Sequence, residues 1–194
     1  MKYLITPSLY NAWYWYKKLE SSTKEDFLNT LNKVPFPQNE NMLAGIKFED
    51  EIKDYNLGNP SENECVVEFG NILKGAYWQE VVKKDLSFGD YDLLLYGKID
   101  AVKLNKIYDI KFTKNYDIGK YEYSIQHLLY MYCSGIKDFE YLVSNGRETY
   151  KEAYSWDETS LNLLQSRIAN MLSDIFANAE FKAAFNQFWQ AQGR

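Results

Sequence analysis

The stretch GKIDAVKLNKIYDIK, residues 97–111, contains two extended runs, IDAVK and KIYDIK, that meet at a short polar connection. Two such runs joined through two residues predict a tight β-hairpin. The loop is either Leu104 with Asn105 or Asn105 with Lys106, and the sequence leaves both registers open. The hairpin determines which side chains of the two runs meet.

Three polar side chains of this hairpin share one face in either register. Asp100 faces Asp109 in the first register and Lys111 in the second, and strand alternation keeps Asp109 and Lys111 together. The neighbours predicted to point the other way, into a core, are Ile99, Ala101, Tyr108, Ile110 and Phe112. We therefore expect a polar face backed by an apolar one.

These three side chains suit the hydrolysis of a phosphodiester. Two carboxylates a few ångströms apart repel each other unless a proton or a cation lies between them, and Mg²⁺ prefers carboxylate and water oxygens. A lysine beside them can orient or deprotonate the attacking water, or offset charge at the phosphate. Asp100, Asp109 and Lys111 are thus candidate catalytic residues.

The pattern on either side of the hairpin predicts one α/β domain. Alternation with a period of two predicts strands at about residues 75–84, 90–103, 106–113, 139–143 and 149–154, within a region of such alternation that begins at about residue 64. Helical spacing of apolar residues, including Leu9, Trp13, Tyr16 and Leu19, predicts helices at about 1–33, 42–55, 121–133, 157–177 and 180–190. The expected fold is a central mixed sheet, an antiparallel meander plus further strands, flanked by helices. Its core is expected at about 42–155, with helical additions at 1–33 and 157–190.

The overall charge restricts how this chain could hold nucleic acid. With a formal net charge of −5, it lacks the basic surplus of proteins that bind nucleic acid by bulk charge, so a basic surface would have to be local. A local excess of lysine comprises Lys98, Lys103, Lys106, Lys111, Lys114 and Lys120. These lysines either follow a phosphate backbone or protect a solvated sheet edge.

The sequence carries no signal for export or for a membrane. The first residues, MKYLITPSLYNAWYWYKK, do not resemble a signal peptide, and no apolar run approaches the ~20 residues of a membrane span. Cys65 and Cys133 are too few and too far apart to build a zinc or iron–sulfur site from thiolates. We expect a cytoplasmic protein with no membrane partner.

The segment from about residue 45 to 130 resembles the PD-(D/E)XK nuclease superfamily, and within it the RecB-like and phage-exonuclease branch. The family pattern is an acidic residue on a helix, then Gly-x-x-Asp, then (Asp/Glu)-x-Lys, then Gln-x-x-x-Tyr on the next helix. The matching residues are Glu49 in GIKFE, Asp100 in GKID, Asp109 and Lys111 in DIK, and Gln126 and Tyr130 in QHLLY. The resemblance implies a restriction-endonuclease-like core.

The resemblance also implies residue roles. One or two Mg²⁺ or Mn²⁺ ions would be bound by Glu49, Asp100, Asp109 and the carbonyl of Ile110. Lys111 would position the attacking water, and Gln126 and Tyr130 would support the site or contact the substrate. Glu51 competes with Glu49 as the acid on the helix. The branch with an iron–sulfur cluster uses four cysteines, so no such cluster is expected here.

The function implied by the resemblance is a DNA exonuclease that leaves a 5′-phosphate. A second hypothesis is a catalytically inactive nuclease-fold protein that binds DNA, or a protein partner, in phage or recombination machinery. A third is a hydrolase of another phosphate ester. Besides DNA, a second copy of the chain and a recombination protein remain open as partners.

Several aromatic residues and the only histidine have two interpretations each. The N-terminal aromatic group comprises Tyr10, Trp13, Tyr14, Trp15 and Tyr16. Its side chains either pack in the core, the interpretation favoured for Trp13 and Tyr16, or stack on bases of single-stranded DNA. The C-terminal group is assigned to packing or an oligomer interface: Phe181, Phe185, Phe188 and Trp189. His127 is interpreted as an ordinary partly buried histidine rather than a general base or a metal ligand.

Overall fold

Six strands of the computed structural model, which describes residues 1–18 and 22–191, form one mixed sheet. The strands are β1 (Lys2–Ile5), β2 (Tyr77–Phe88), β3 (Tyr91–Lys103), β4 (Lys106–Phe112), β5 (Asp138–Ser144) and β6 (Thr149–Ser155). The helices are α1 (Pro7–Lys18), α2 (Lys24–Leu31), α3 (Glu40–Asn56), α4 (Glu64–Leu73), α5 (Gln126–Ser134), α6 (Ser160–Ala177) and α7 (Ala179–Phe188). The predicted α/β fold, with a mixed sheet flanked by helices, is confirmed.

Strand β3 is the centre of the sheet. Strand β2 pairs antiparallel with it from Tyr91 to Val102 and so occupies one of its edges. On the other edge, β1 pairs parallel with residues 92–95, and β4 pairs antiparallel with residues 101–103. Residues 96–100 of β3 therefore pair with neither β1 nor β4, which leaves a gap in the sheet between these two strands. The parallel pair of β4 with β5 and the antiparallel pair of β5 with β6 complete the sheet.

The prediction that residues 1–33 are helical is wrong in part. Residues 2–5 form β1, so the sheet begins outside the predicted core of 42–155, and α1 and α2 are separate helices. The four residues of β1 are too few to show a strand pattern in the sequence. They form a strand because they pair with β3, about ninety residues away. Helix α1 begins at Pro7, with Thr6 Oγ1 accepting the N–H of Leu9 at 3.2 Å. Leu19 lies outside the described residues.

Two further boundaries differ from the prediction. Residues 64–73 form α4 rather than part of the region with a period of two; their buried side chains include Cys65, Val66, Phe69 and Leu73. The adjacent valines at 66 and 67 favour a strand locally, but packing against α3 decides the outcome. Helix α5 begins at Gln126, five residues later than predicted, because residues 118–123 form turns.

Both faces of the sheet are covered. A large apolar cluster includes buried residues of α1, α2, α5, α6 and α7, and a smaller one joins α3 and α4 to the opposite face. The prediction that Ile99 and Ala101 share a face is wrong: Ile99 belongs to the large cluster and Ala101 to the small one. Between them, Asp100 stands opposite Gln79, whose φ of +61° interrupts the regular pairing of β2 with β3.

The C-terminal helices pack against the N-terminal elements. Phe181, Phe185 and Trp189 are buried, which agrees with the packing interpretation. The indole N–H of Trp189 donates to the Leu31 carbonyl at 2.9 Å, and its own carbonyl accepts from the N–H of Leu4 at 2.7 Å. Within residues 1–18 and 22–191, no helix has the length and apolar character needed to cross a membrane.

Candidate active site

The hairpin between β3 and β4 adopts the first of the two predicted registers. Lys103 pairs with Lys106, and the loop residues Leu104 and Asn105 have φ values of +48° and +60°. Positive φ at both positions is the signature of a type I′ turn, which matches the twist of the flanking strands. This register places Asp100 on β3 beside Asp109 on β4.

The strands separate at the two aspartates, and side chains replace the regular backbone ladder. Pairing of β3 with β4 continues from the turn as far as Ala101 and Tyr108. Beyond it, the Ile110 N–H donates to Asp100 Oδ2 at 2.9 Å. The N–H and C=O of one strand residue point to the same edge, so the Ile110 carbonyl faces β3 as well.

Asp109 is held on both carboxylate oxygens. Gln126 Nε2, at the start of α5, donates to Oδ1 at 2.5 Å, and Lys111 Nζ lies 2.6 Å from Oδ2. The residue is only 1% exposed, since α5 covers this face of the sheet. Asp109 thus faces polar partners, as expected for a polar face of the hairpin, but its side chain is buried rather than open to solvent.

The electrostatics of the cluster favour a positive charge. Burial, reinforced by the nearby Asp109 and Glu49, raises the pKa of Asp100 well above its ordinary value. Burial also raises the pKa of Asp109, although Lys111 opposes this shift. Burial alone would lower the pKa of Lys111, but the two aspartates outweigh it and raise that pKa. Lys111 is therefore an ammonium group among carboxylates.

Glu49, on α3, lies close enough to influence both aspartates, and two other side chains hold it. Its Oε1 is 2.7 Å from Lys53 Nζ and accepts a hydrogen bond from Gln79 Nε2, also at 2.7 Å. Glu51 instead lies 3.7 Å from Lys47 and lines a separate surface depression near Pro60 and Glu62. Of the two candidate helix acids, Glu49 is the one beside the aspartates.

Asp100 and Asp109 suit the donor chemistry of a hard divalent cation. Asp109 is buried and Asp100 is partly buried, the charge of Asp109 raises the pKa of Asp100, and a cation would relieve that repulsion. In the part of the chain that the structure describes, no three acidic, histidine or cysteine side chains surround a common point. The contacts of Glu49 with Lys53 and Gln79 both engage its Oε1.

Gly97 and Tyr130 have a structural relation that the sequence analysis missed. A Cβ at Gly97 would lie 2.3 Å from Tyr130 Cε1, so the tyrosine ring rests directly on the glycine. In this position the Tyr130 hydroxyl donates to the Lys98 carbonyl at 2.8 Å and lies 3.2 Å from Gln126 Nε2. Gly97 thus lets Tyr130 support the amide that holds Asp109. The glycine in GKID marks a position where a side chain would not fit, but the sequence does not show that the neighbouring residue is Tyr130, 33 positions away.

A cleft of about 350 Å³ opens at the gap between β1 and β4. Its walls come from the start of α1, from residues 96–98 of β3, and from the cluster around Asp109; they include Thr6, Ser8, Asn11, Lys98, Lys111 and Gln126. The cleft therefore connects the ammonium of Lys111 with the surface. The cleft reaches Lys111 and Gln126, the two residues that contact the carboxylate of Asp109.

Other residues singled out from the sequence lie elsewhere. Lys103 donates to the Ile72 carbonyl, Lys106 pairs with Glu140 at 3.0 Å, and Lys120 donates within its own loop, so these lysines serve internal contacts. His127 is 2% exposed and stacks on Tyr154 with ring centroids 4.0 Å apart. Burial and the charge of Arg167 lower its pKa to about 3. His127 thus packs as an ordinary core histidine, and it is more deeply buried than the partly buried residue that was predicted.

Comparison with known proteins shows similarity in structure only. No family model matches the sequence. No curated protein is significantly similar in sequence. A crystal structure of LHK-Exo in complex with dAMP matches with a TM-score of 0.52 and 13% identity, covering 94% of this chain and 92% of that one. A second, of an alkaline exonuclease, LHK-Exo, from Laribacter hongkongensis, has a TM-score of 0.48 and 9% identity over the same shares. The chain is thus similar in fold to this exonuclease.

Proposed function

We propose that this chain is a cytoplasmic, metal-dependent DNA nuclease of the PD-(D/E)XK superfamily, in its RecB-like and phage-exonuclease branch. The observation that carries the proposal is the environment of Asp109: Lys111 on one oxygen, Gln126 on the other, and Asp100 beside it. An acid pair with one buried member and an adjacent ammonium is costly for folding and useful for phosphodiester hydrolysis. Similarity in fold to an alkaline exonuclease supports exonuclease action.

Each residue of the candidate active site has a separate role in the proposed reaction. Asp100, Asp109, the Ile110 carbonyl and Glu49 would hold Mg²⁺ or Mn²⁺, which when bound activates water and neutralises phosphate charge. Gln126 fixes the orientation of Asp109 by its 2.5 Å hydrogen bond.

The ammonium of Lys111 lies in the cleft wall, where it can donate to a phosphate oxygen or to the attacking water. Because the two aspartates raise the pKa of Lys111, it acts as a donor rather than as a base in this state.

One feature favours a second candidate, a catalytically inactive nuclease-fold protein that binds DNA or a protein partner in phage or recombination machinery. Lys53 and Gln79 both engage Oε1 of Glu49, so this oxygen is not available to a shared ion while those contacts last. An inactive protein would keep these contacts permanently. An active one would exchange them when the metal binds.

A cleavage assay separates the two candidates. Purified protein is incubated with linear and circular DNA, single- and double-stranded, in Mg²⁺, Mn²⁺ or EDTA. The variants are Asp109→Asn and Lys111→Ala, and the matched control is Asp90→Asn, an exposed aspartate in the turn between β2 and β3. We expect metal-dependent loss of linear DNA, a decrease of at least about 100-fold in both site variants, and no change in the control.

Two results would contradict the proposal. Cleavage by Asp109→Asn and Lys111→Ala at the wild-type rate would show that the activity resides elsewhere. Absence of cleavage with either metal, from protein that unfolds cooperatively, would favour the inactive candidate. Cleavage of circular as well as linear DNA would retain the nuclease but exclude the exonuclease assignment.

A further inference from the structure

One face of α1 leads away from the cleft. Asn11 lines the cleft, and Tyr14 and Lys18 follow it at helical spacings of three and four. From Asn11 to Lys18 this face extends about 10 Å along the helix axis. The buried aromatics of the helix, Tyr10 and Trp13, point into the core instead.

Tyr123, from the connection between β4 and α5, stacks against this face. Its ring and that of Tyr14 are nearly parallel, at 14°, with centroids 6.1 Å apart. Lys18 Nζ lies 5.6 Å from the Tyr14 centroid and 6.0 Å from the Tyr123 centroid. Tyr123 is nevertheless 55% exposed, so much of its ring faces solvent. We call Tyr14, Lys18 and Tyr123 the aromatic surface.

The turn that carries Tyr123 is held in place on both sides of the tyrosine. Arg167 Nη1, on α6, donates to the Glu122 carbonyl at 3.0 Å and to the Ser124 carbonyl at 2.9 Å. Arg167 thus holds the backbone on both sides of an exposed tyrosine. A backbone that is already ordered loses less conformational entropy when a ligand stacks on the ring.

The same turn is continuous with the candidate active site. Ser124 Oγ donates to Asn11 Oδ1 at 3.4 Å and accepts the N–H of Gln126 at 3.1 Å. Gln126 is the residue that holds Asp109. A strand that enters the cleft and continues over Asn11 would therefore meet the aromatic surface next.

An exposed ring beside an ammonium fits one class of ligand at this place. Nucleic acid bases stack on aromatic rings whatever their sequence, and a lysine attracts the phosphates between them. Bases within a duplex are already stacked on their neighbours, so only unpaired bases can use the ring. Lys18 supplies the local positive charge that the chain as a whole lacks.

We propose that the aromatic surface binds an unpaired DNA strand, with a base stacked on the exposed face of Tyr123 and Lys18 beside an adjoining phosphate. The proposal rests on the proposed function, since it names the form of DNA that the active site receives. The surface would hold the part of a single strand that lies outside the cleft.

The test measures binding without cleavage. Fluorescence anisotropy in EDTA follows a labelled single-stranded oligonucleotide of mixed sequence and the same sequence as a blunt duplex. The variants are Tyr123→Ala and Tyr123→Phe, with Tyr77→Ala, another exposed tyrosine, as the matched control. We expect Tyr123→Ala to weaken single-strand binding by about 5- to 150-fold and duplex binding by less than about twofold. Tyr123→Phe and Tyr77→Ala should bind as wild type does.

A second measurement isolates Lys18. In Lys18→Ala, the slope of log affinity for the single strand against log salt should fall by about 0.7, the contribution of one phosphate contact. Wild-type single-strand affinity in Tyr123→Ala, an equal loss for duplex and single strand, or no single-strand binding by the wild type would each overturn the proposal. The outcome is independent of catalysis, because a protein that cuts no DNA in Mg²⁺ can still show the Tyr123 effect in EDTA.

Discussion

Gly97→Ala tests the contact that links the hairpin to α5. The added Cβ would lie 2.3 Å from Tyr130 Cε1 and 3.0 Å from Cδ1, whereas ordinary contacts begin at 3.4 Å. The ring would have to move by about 1 Å, and overpacking of this kind costs about 1–3 kcal/mol. The movement would also pull the Tyr130 hydroxyl from the Lys98 carbonyl, adding about 1 kcal/mol. We expect the free energy of unfolding to fall by about 2–4 kcal/mol.

Urea unfolding followed by tryptophan fluorescence measures this change, and Gly45→Ala is its matched control. At Gly45, within α3, the nearest atom to a new Cβ is Phe112 Cβ at 3.8 Å, an ordinary contact. The same substitution should therefore stabilise the protein there, by about 0.5–1 kcal/mol, because alanine favours a helix. The two glycine substitutions are expected to have opposite signs.

A double-mutant cycle identifies the cause. If the clash with the ring is responsible, Gly97→Ala should cost less than about 0.5 kcal/mol when Tyr130→Ala has already removed the ring. An undiminished cost in that background would refute the reasoning, as would a Gly97→Ala protein as stable as the wild type. In the active protein, the displaced ring should also reduce DNA cleavage, because Gln126 loses a neighbour that supports its contact with Asp109.

Three further substitutions test the buried polar groups. In EDTA at neutral pH, Asp100→Asn should raise the free energy of unfolding by about 1 kcal/mol. Burial, Asp109 and Glu49 raise the pKa of Asp100 in the folded state, so this gain in stability should grow as the pH rises above 3.8. Urea titrations that show a larger gain at low pH would contradict this. Burial lowers the pKa of His127 in the folded protein to about 3, so below pH 6.5 the unfolded chain takes up a proton first and the wild type loses at most about 1.4 kcal/mol of stability per pH unit. His127→Phe should remove this loss. Stability curves that run parallel for variant and wild type below pH 6.5 would contradict the prediction. Glu152→Gln should cost about 1–3 kcal/mol in urea unfolding, because Glu152 accepts from the Tyr116 hydroxyl at 2.7 Å and also from that of Tyr154; a neutral effect would mean that these contacts contribute little.

The sequence allowed the hairpin and the polar side chains that it brings together to be predicted, because both depend on near neighbours. A two-residue loop and strand alternation are enough to bring Asp100, Asp109 and Lys111 together. The choice between the two registers required the positive φ of Leu104 and Asn105, which no residue type at these positions dictates. The same local logic predicted the strands of the meander and the terminal helices, within a few residues.

Only the tertiary structure decided where distant segments meet. Strand β1, four residues long, exists because β3 pairs with it, and the gap that forms the cleft exists because β1 and β4 share one edge of β3. The ring of Tyr130 on Gly97, and the contacts of Glu49 with Lys53 and Gln79, likewise follow from packing. A local pattern specifies an element and its faces, whereas the partner across a core depends on how all the elements fill space together, which no short stretch of sequence contains.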